Sequence, residues 1–239
     1  MAKTIFQSKD TSTLQEIGKM IDKLNYKTDR YSLLSDLFEM TAIGISNQVD
    51  LRKSVWNERE ERYINLMKKY ELSDRQLLKQ ISDKLIILLS GMCDNGFDDY
   101  LGKLYMMSGT SSDRAGQFFT PYSLSAMTAE CSIQKADIEK KKANNEIITL
   151  NEPAVGSGGM MLAALDVMWN KHGFNYATNC LIDCGDVDTR CVHMCYVQLS
   201  LAGVPAVVRH QDALTLKQWD EWHTPALIMQ WTRFAEYVR

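Results

Sequence analysis

From Thr11 to about Met107 the apolar positions keep a helical period. Leu14, Ile17, Met20, Ile21 and Leu24 form one stripe, and Leu33, Leu34, Leu37, Phe38, Thr41 and Ile43 a second. No strand-like alternation interrupts them, and Asp29 or Ser32 is placed to cap the second helix. The residues before Thr11 read as a frayed end. Gln48 to Tyr70 is heavily charged around Val55, Trp56, Tyr63, Ile64 and Met67, so it is either a solvated amphipathic helix or an edge facing DNA or a partner. A further helix starts near Ser73-Asp74, runs through Leu77, Leu78, Ile81, Leu85, Ile86, Leu88 and Leu89, and stops near Gly91. Phe97 to Met107 is a short helix, and the small polar stretch Ser108 to Arg114 has the composition of a surface loop.

The period then changes. Thr120-Pro121 predicts a helix start, with Thr120 as cap and Pro121 at the first helical position, and the helix runs from Tyr122 to about Cys131. Lys135 to Asn145 reads as a charged linker. The apolar run Ile147-Ile148-Thr149-Leu150 predicts a strand that ends at Glu152, followed by a turn holding Gly156, Gly158 and Gly159 and an apolar helix from Met160 to Leu165. Cys180 to Asp188 predicts a second strand ending in acids, Val192 to Leu201 a helix ending at Gly203, and Ala206 to Leu214 a third strand with its exit loop. Strand, helix, strand, helix, strand is the first half of a doubly wound sheet. The chain therefore divides into a helical region, residues 1–113, and an α/β domain, residues 114–239.

Composition narrows the class without changing this picture. The chain has 239 residues, 45% hydrophobic and 24% charged, with a formal net charge of −3. That charge is not the footprint of a free-standing nucleic-acid binder, so any DNA contact needs local basic patches or a partner. No apolar run reaches the roughly 18 residues of a membrane span, and the first residues lack the pattern of a signal peptide, so a cytoplasmic protein with no membrane association is expected. The six cysteines read as reduced thiols. Cys180, Cys184, Cys191 and Cys195 lack the close knuckle spacing of a zinc site, so they are read as small buried packing residues and no metal is assigned.

In half of a doubly wound sheet, ligands sit at the carboxyl ends of the strands. The glycines let backbone approach a ligand, and the helix that follows begins with N–H groups aimed at it. Asp186, ending the second strand, can accept both hydroxyls of a ribose. Asp212, ending the third, can accept from an adenine amino group. The alternative is that Asp186 and Asp188 only cap the next helix.

Two motifs reach a family. Glu152-Pro153-Ala154-Val155-Gly156-Ser157-Gly158-Gly159 resembles the Asp-Pro-Ala-Cys-Gly-Ser-Gly-Gly motif of S-adenosylmethionine-dependent N6-adenine DNA methyltransferases, particularly the modification subunits of type I restriction-modification systems. Gly116-Gln117-Phe118-Phe119-Thr120-Pro121 is similar to the Gly-Gln-Phe-Tyr-Thr-Pro motif preceding it there, and Asp99-Tyr100-Leu101-Gly102 to Tyr105 resembles the end of their helical N-terminal domain. The resemblance implies S-adenosyl-L-methionine as cofactor, DNA as substrate and a Rossmann-like methyltransferase sheet, truncated here, after an all-helical region. It implies that Phe118, Thr120 and Pro121 contact the methionine part, that Glu152, Ala154, Gly156 and Gly158 line its amino-acid end, that Asp186 takes the ribose and Asp212 the adenine, and that Val187 and Leu214 wall the adenine faces. Glu152 stands where the family has Asp, one methylene shorter.

The family's catalytic Asn/Asp-Pro-Pro-Tyr/Phe, which follows a fourth strand, has no counterpart in these residues. The nearest stretch is His223-Thr224-Pro225-Ala226, which makes His223, Thr224 and Pro225 the candidate catalytic positions. Trp219, Trp222, Trp231 and Phe234 read as an apolar lid on the sheet edge or as a surface for stacking bases. Two functions follow from the resemblance and the departure together. One is a DNA adenine methyltransferase whose site is completed by these residues or by a homodimer or partner subunit adding to the sheet. The other is a catalytically inactive cofactor-binding or partner-binding protein, antirestriction or regulatory in role.

Overall fold

The computed structural model describes residues 2–24, 29–108 and 119–238. Phe118 and all but Ser108 of the expected loop from Ser108 to Arg114 lie outside them. The chain forms two compact units, one comprising residues 1–96 and 100–118 and the other residues 97–99 and 119–239.

The first unit is helical: α1 (Ala2–Leu24), α2 (Arg30–Ser46), α3 (Lys53–Lys68), α4 (Leu72–Ser90), the single turn α5 (Met92–Asn95) and α6 (Tyr100–Met107). Helix α1 begins at Ala2, inside the stretch expected to fray. The stripes close on one another, with Ile17, Ile21, Leu33, Leu34, Leu37, Ile81, Leu85, Leu89, Leu101 and Leu104 all buried. Asp29 caps α2 by accepting from the Ser32 N–H. The charged segment turns its cations onto acids of its own unit. Arg62 pairs with Glu39, Lys69 with Asp36, and the buried Arg59 with Asp50 at 3.3 Å and with the Ser46 hydroxyl at 2.6 Å. Burial opposes ionisation of Asp50, but the hydrogen bonds and charge of Arg52 with the charge of Arg59 outweigh it and hold its carboxyl below the usual range.

The second unit opens with α7 (Tyr122–Ser132) and α8 (Lys135–Ala143). Pro121 precedes the first helical residue as its N-cap, so Thr120 does not cap that helix as expected. The presumed linker is α8. Its lysines, alanines and glutamate are good helix formers, Ile138 anchors it, and Lys140, Lys141 and Lys142 sit in the last turn where cations favour the helix dipole. Next come β1 (Ile148–Glu152), α9 (Gly159–Asp166) continued by a π-helical turn (Val167–Lys171), α10 (Tyr176–Asn179), β2 (Cys180–Asp186), α11 (Thr189–Leu201) and β3 (Ala206–Asp212). The chain ends with β4 (Lys217–His223), α12 (Pro225–Met229), α13 (Trp231–Phe234) and a 3₁₀ turn (Ala235–Tyr237).

The sheet order is β1-β2-β3-β4. The first three strands are parallel, which brings Glu152, Asp186 and Asp212 to one end. Strand β4 is antiparallel to β3, with a register shift at His210/Gln211. On one face Val208 and Trp222 are register partners, and Trp222 meets Tyr196 and His193 of α11 with ring centroids at 5.1 and 5.2 Å. On the other face Leu181 and Val207 pack against Leu227 and Phe234. The expected aromatic lid is thus divided. Trp222 and Phe234 are core, whereas Trp219 lies tilted against His210 and Trp231 stacks on His223 at the surface. Among the described residues no helix is long and apolar enough to cross a membrane.

Candidate functional site

The turn between β1 and α9 is built by backbone that favours glycine and by anchors from neighbouring elements. Gly156 and Gly158 hold φ of 56° and 101°. A Cβ on Gly156 would sit 3.2 Å from the Phe119 ring, and one on Gly158 3.2 Å from Cys195 Sγ. The Val155 N–H donates to the Gly185 carbonyl at 2.9 Å, and the Gly156 N–H to Asp186 Oδ2 at 2.9 Å. Glu152 Oε1 accepts from the Ala154 N–H at 3.0 Å, closing the start of the turn. The turn is therefore tied to the end of β2 before any ligand arrives.

Asp186 is buried, and its second oxygen accepts from the Asp188 N–H at 2.9 Å. Asp188 caps α11 through the Arg190 N–H and pairs with the Arg190 guanidinium. The two acids thus divide the work that the sequence left open, Asp188 capping the helix and Asp186 holding the glycine turn. Val187, between them, is 64% exposed, and its carbonyl lies 3.1 Å from His210 Nε2.

Asp212 ends β3 two residues past His210, the register partner of Asp186. Its carboxylate faces its own turn, accepting from the N–H groups of Leu214 at 2.9 Å and Thr215 at 3.3 Å. The Thr215 hydroxyl and these N–H groups hold its carboxyl below the usual range. Leu214 is 95% exposed in that turn. Thr120 and Pro121 are exposed where the chain leads into α7. Glu152, Ala154, Gly156, Gly158 and Asp186 therefore come together in one turn, with Val187 beside it, while Asp212 and Leu214 share the turn at the end of the adjacent strand.

The three catalytic candidates are not brought to this end. Strand β4 runs against β3, so His223 is the register partner of Val207, near the start of β3. Five residues of strand, about 16 Å, separate that level from Asp212. Thr224 is buried, donates to the Val204 carbonyl at 2.7 Å and accepts from the Ala206 N–H at 2.9 Å. Pro225 opens α12. His223 Nε2 lies 2.6 Å from Glu221 Oε1, whose second oxygen meets Arg209, and Arg209 also pairs with Asp183. This chain of charges crosses three strands on the face opposite α11.

Sequence reasoning missed Phe119, Gly185, Asp99 and Gln198. Phe119 lay within a recognised motif, and the paired aromatics were its signal. Asp99 lay within the stretch resembling the end of a helical domain, but its contacts, like those of Gly185 and Gln198, are with distant positions that no local pattern announces.

The sequence profile of a family described as N-6 DNA methylase matches residues 97–236. No curated protein sequence matches the chain. Among solved structures, a Listeria monocytogenes protein assigned as a class I S-adenosylmethionine-dependent methyltransferase is similar, with 15% sequence identity and a TM-score of 0.46. The similarity covers 85% of this chain and 54% of that one, so the chain spans about half the length of that protein.

Proposed function

The chain belongs to the N-6 DNA methylase family, and we propose that it holds S-adenosylmethionine at the glycine turn and serves the methylation of adenine N6 in DNA within a restriction-modification type system. S-adenosylmethionine is the family's cofactor and, when bound, supplies a methyl group activated by a sulfonium charge.

The observation that carries the reading is the tie between the glycine turn and the carboxylates at the ends of β1 and β2, through Glu152 to Ala154 and Asp186 to Gly156. A turn closed by acids suits a cofactor whose ammonium and sulfonium outweigh its one carboxylate; a phosphate there would meet like charge. In this reading Glu152, Ala154, Gly156 and Gly158 line the methionine end together with Phe118, Thr120 and Pro121. Asp186 takes the ribose, Asp212 the adenine amino group, and Val187 and Leu214 cover the ring. Asp212 turns out of its present hydrogen bonds to do so.

One observation favours a second reading. Within these residues the acceptor-side motif has no counterpart, and His223, Thr224 and Pro225 stand at the far end of the sheet. Methyl transfer then requires groups from outside these residues to grip the target base. In the sheet order β1 is a terminal strand, bonded to β2 alone among the described strands, and offers the edge for such an addition. Without those groups the chain acts as a cofactor-binding or partner-binding regulator.

Calorimetric titration with S-adenosylmethionine tests the cofactor site. Micromolar binding is expected, weakened at least tenfold in Asp186→Ala, and no binding by the wild type would refute the reading. A labelled-methyl assay on DNA, run over a range of protein concentrations and with candidate subunits, then separates enzyme from regulator.

A further inference from the structure

The second unit contains a buried carboxylate that the reading above leaves idle. Asp99 belongs to that unit through the short segment Phe97–Asp99, whose Phe97 packs edge-on against Tyr176 at 5.9 Å. Asp99 is 4% exposed, and Ser157 and Gln198, which bond to it, are 2% and 0% exposed. The Ser157 hydroxyl donates to Asp99 Oδ2 at 2.5 Å, and the Gln198 amide donates to Asp99 Oδ1 at 2.9 Å. The same amide group donates to the Ser157 carbonyl at 2.7 Å. Both the side chain and the backbone of Ser157 are therefore fixed, at the residue between the two left-handed glycines.

The carboxylate also reaches the start of α9. A Cβ on Gly159 would lie 3.2 Å from Asp99 Oδ2, so the third glycine of the turn leaves the room that this oxygen occupies. A helix N-terminus carries roughly half a positive charge and ordinarily draws a phosphate or another anion. Here the protein has installed its own anion beside it.

We propose that Asp99 is a positioning residue of the cofactor site, which it reaches through Ser157, and that its carboxylate biases the glycine turn toward a ligand with a cationic amino-acid end. The inference rests on the S-adenosylmethionine reading. Asp99 orients the turn and offsets the positive end of α9, and it makes no contact with the adenosine half.

Two ligands separate this role from a structural one. S-adenosylmethionine carries the charged amino-acid end, and 5′-methylthioadenosine keeps the adenosine and thioether without it. In Asp99→Asn the affinity for S-adenosylmethionine should fall about tenfold by calorimetry, while that for 5′-methylthioadenosine stays within twofold of wild type. Ser157→Ala keeps the carboxylate but cuts its link to the turn. It should lower the same ratio by a smaller factor, and it carries the test should Asp99→Asn not fold. Equal losses for both ligands, or no loss for either, would overturn the proposal and leave the cofactor reading standing. Wild-type protein that binds neither ligand would overturn both.

Discussion

Gly185 and Gly44 show how differently one residue type is used in this chain. Gly185 lies in β2, where its carbonyl receives the Val155 N–H of the cofactor turn. A Cβ there would sit 2.7 Å from Gln211 Nε2 and 2.9 Å from the Arg209 carbonyl oxygen. The glutamine can move, but the carbonyl belongs to the paired strand and cannot. Gly185→Ala should therefore lower stability by about 1–3 kcal/mol, the range for overpacking a core. Gly44, inside α2, has open space around its Cβ position, so Gly44→Ala should raise stability by about 0.5–1 kcal/mol through helix propensity. Urea titration of the two variants checks both signs. The difference is invisible in the sequence, which does not show what a Cβ at either glycine would meet. The turn at Gly156 and Gly158 was legible because three glycines follow a strand pattern and precede a helical one. Asp99 was not, because its hydrogen bonds span 58 and 99 positions.

The parallel strands and the helices between them were legible for the same local reason, a clear switch of period with acids at the strand ends. Strand β4 was not. Its register shift leaves Trp219 between the partners of His210 and Gln211 and interrupts the two-residue alternation. Its direction follows from the short turn after Asp212, which permits only an antiparallel return. The strand is held partly by charge. The His223 hydrogen bond, aided by the charges of His223 and Arg209 and opposed by burial, takes the Glu221 carboxyl from the ordinary 4.5 to about 2. A depressed carboxylate stabilises the fold above its unfolded pKa and loses that contribution as pH falls toward its folded one. Wild type should exceed Glu221→Gln by about 1–2 kcal/mol near neutrality, after allowance for the solvent that reaches this half-buried group. The gap should close between pH 4.5 and about 2. Paired denaturant titrations across that range measure it, and a gap that persisted at the acid end would mean that the ion pair does not hold the hairpin.

For the molecule as a whole, the cysteines report on the unit that carries the site. Of six, Cys180, Cys184, Cys191 and Cys195 are buried on β2 and α11, Cys93 is partly exposed and Cys131 exposed. Burial pushes the Cys180 thiol up to about 12 and raises Cys195 as well, where contact with Cys184 at 3.7 Å adds to the effect. A thiol reagent acts on thiolate, so the native protein should titrate only Cys93 and Cys131 quickly and release the other four when the α/β unit unfolds. Because Cys195 also packs against Gly158, those four thiols lie in the core that supports the glycine turn. A ligand bound only to the native state adds RT ln(1 + [L]/Kd), about 2.7 kcal/mol at a hundred times Kd. S-adenosylmethionine at that level should move release of the four thiols to higher denaturant, whereas ATP at the same concentration should leave it in place. Equal protection by ATP would mean that the turn recognises adenosine alone, and the cationic end of the cofactor would lose its part in the site.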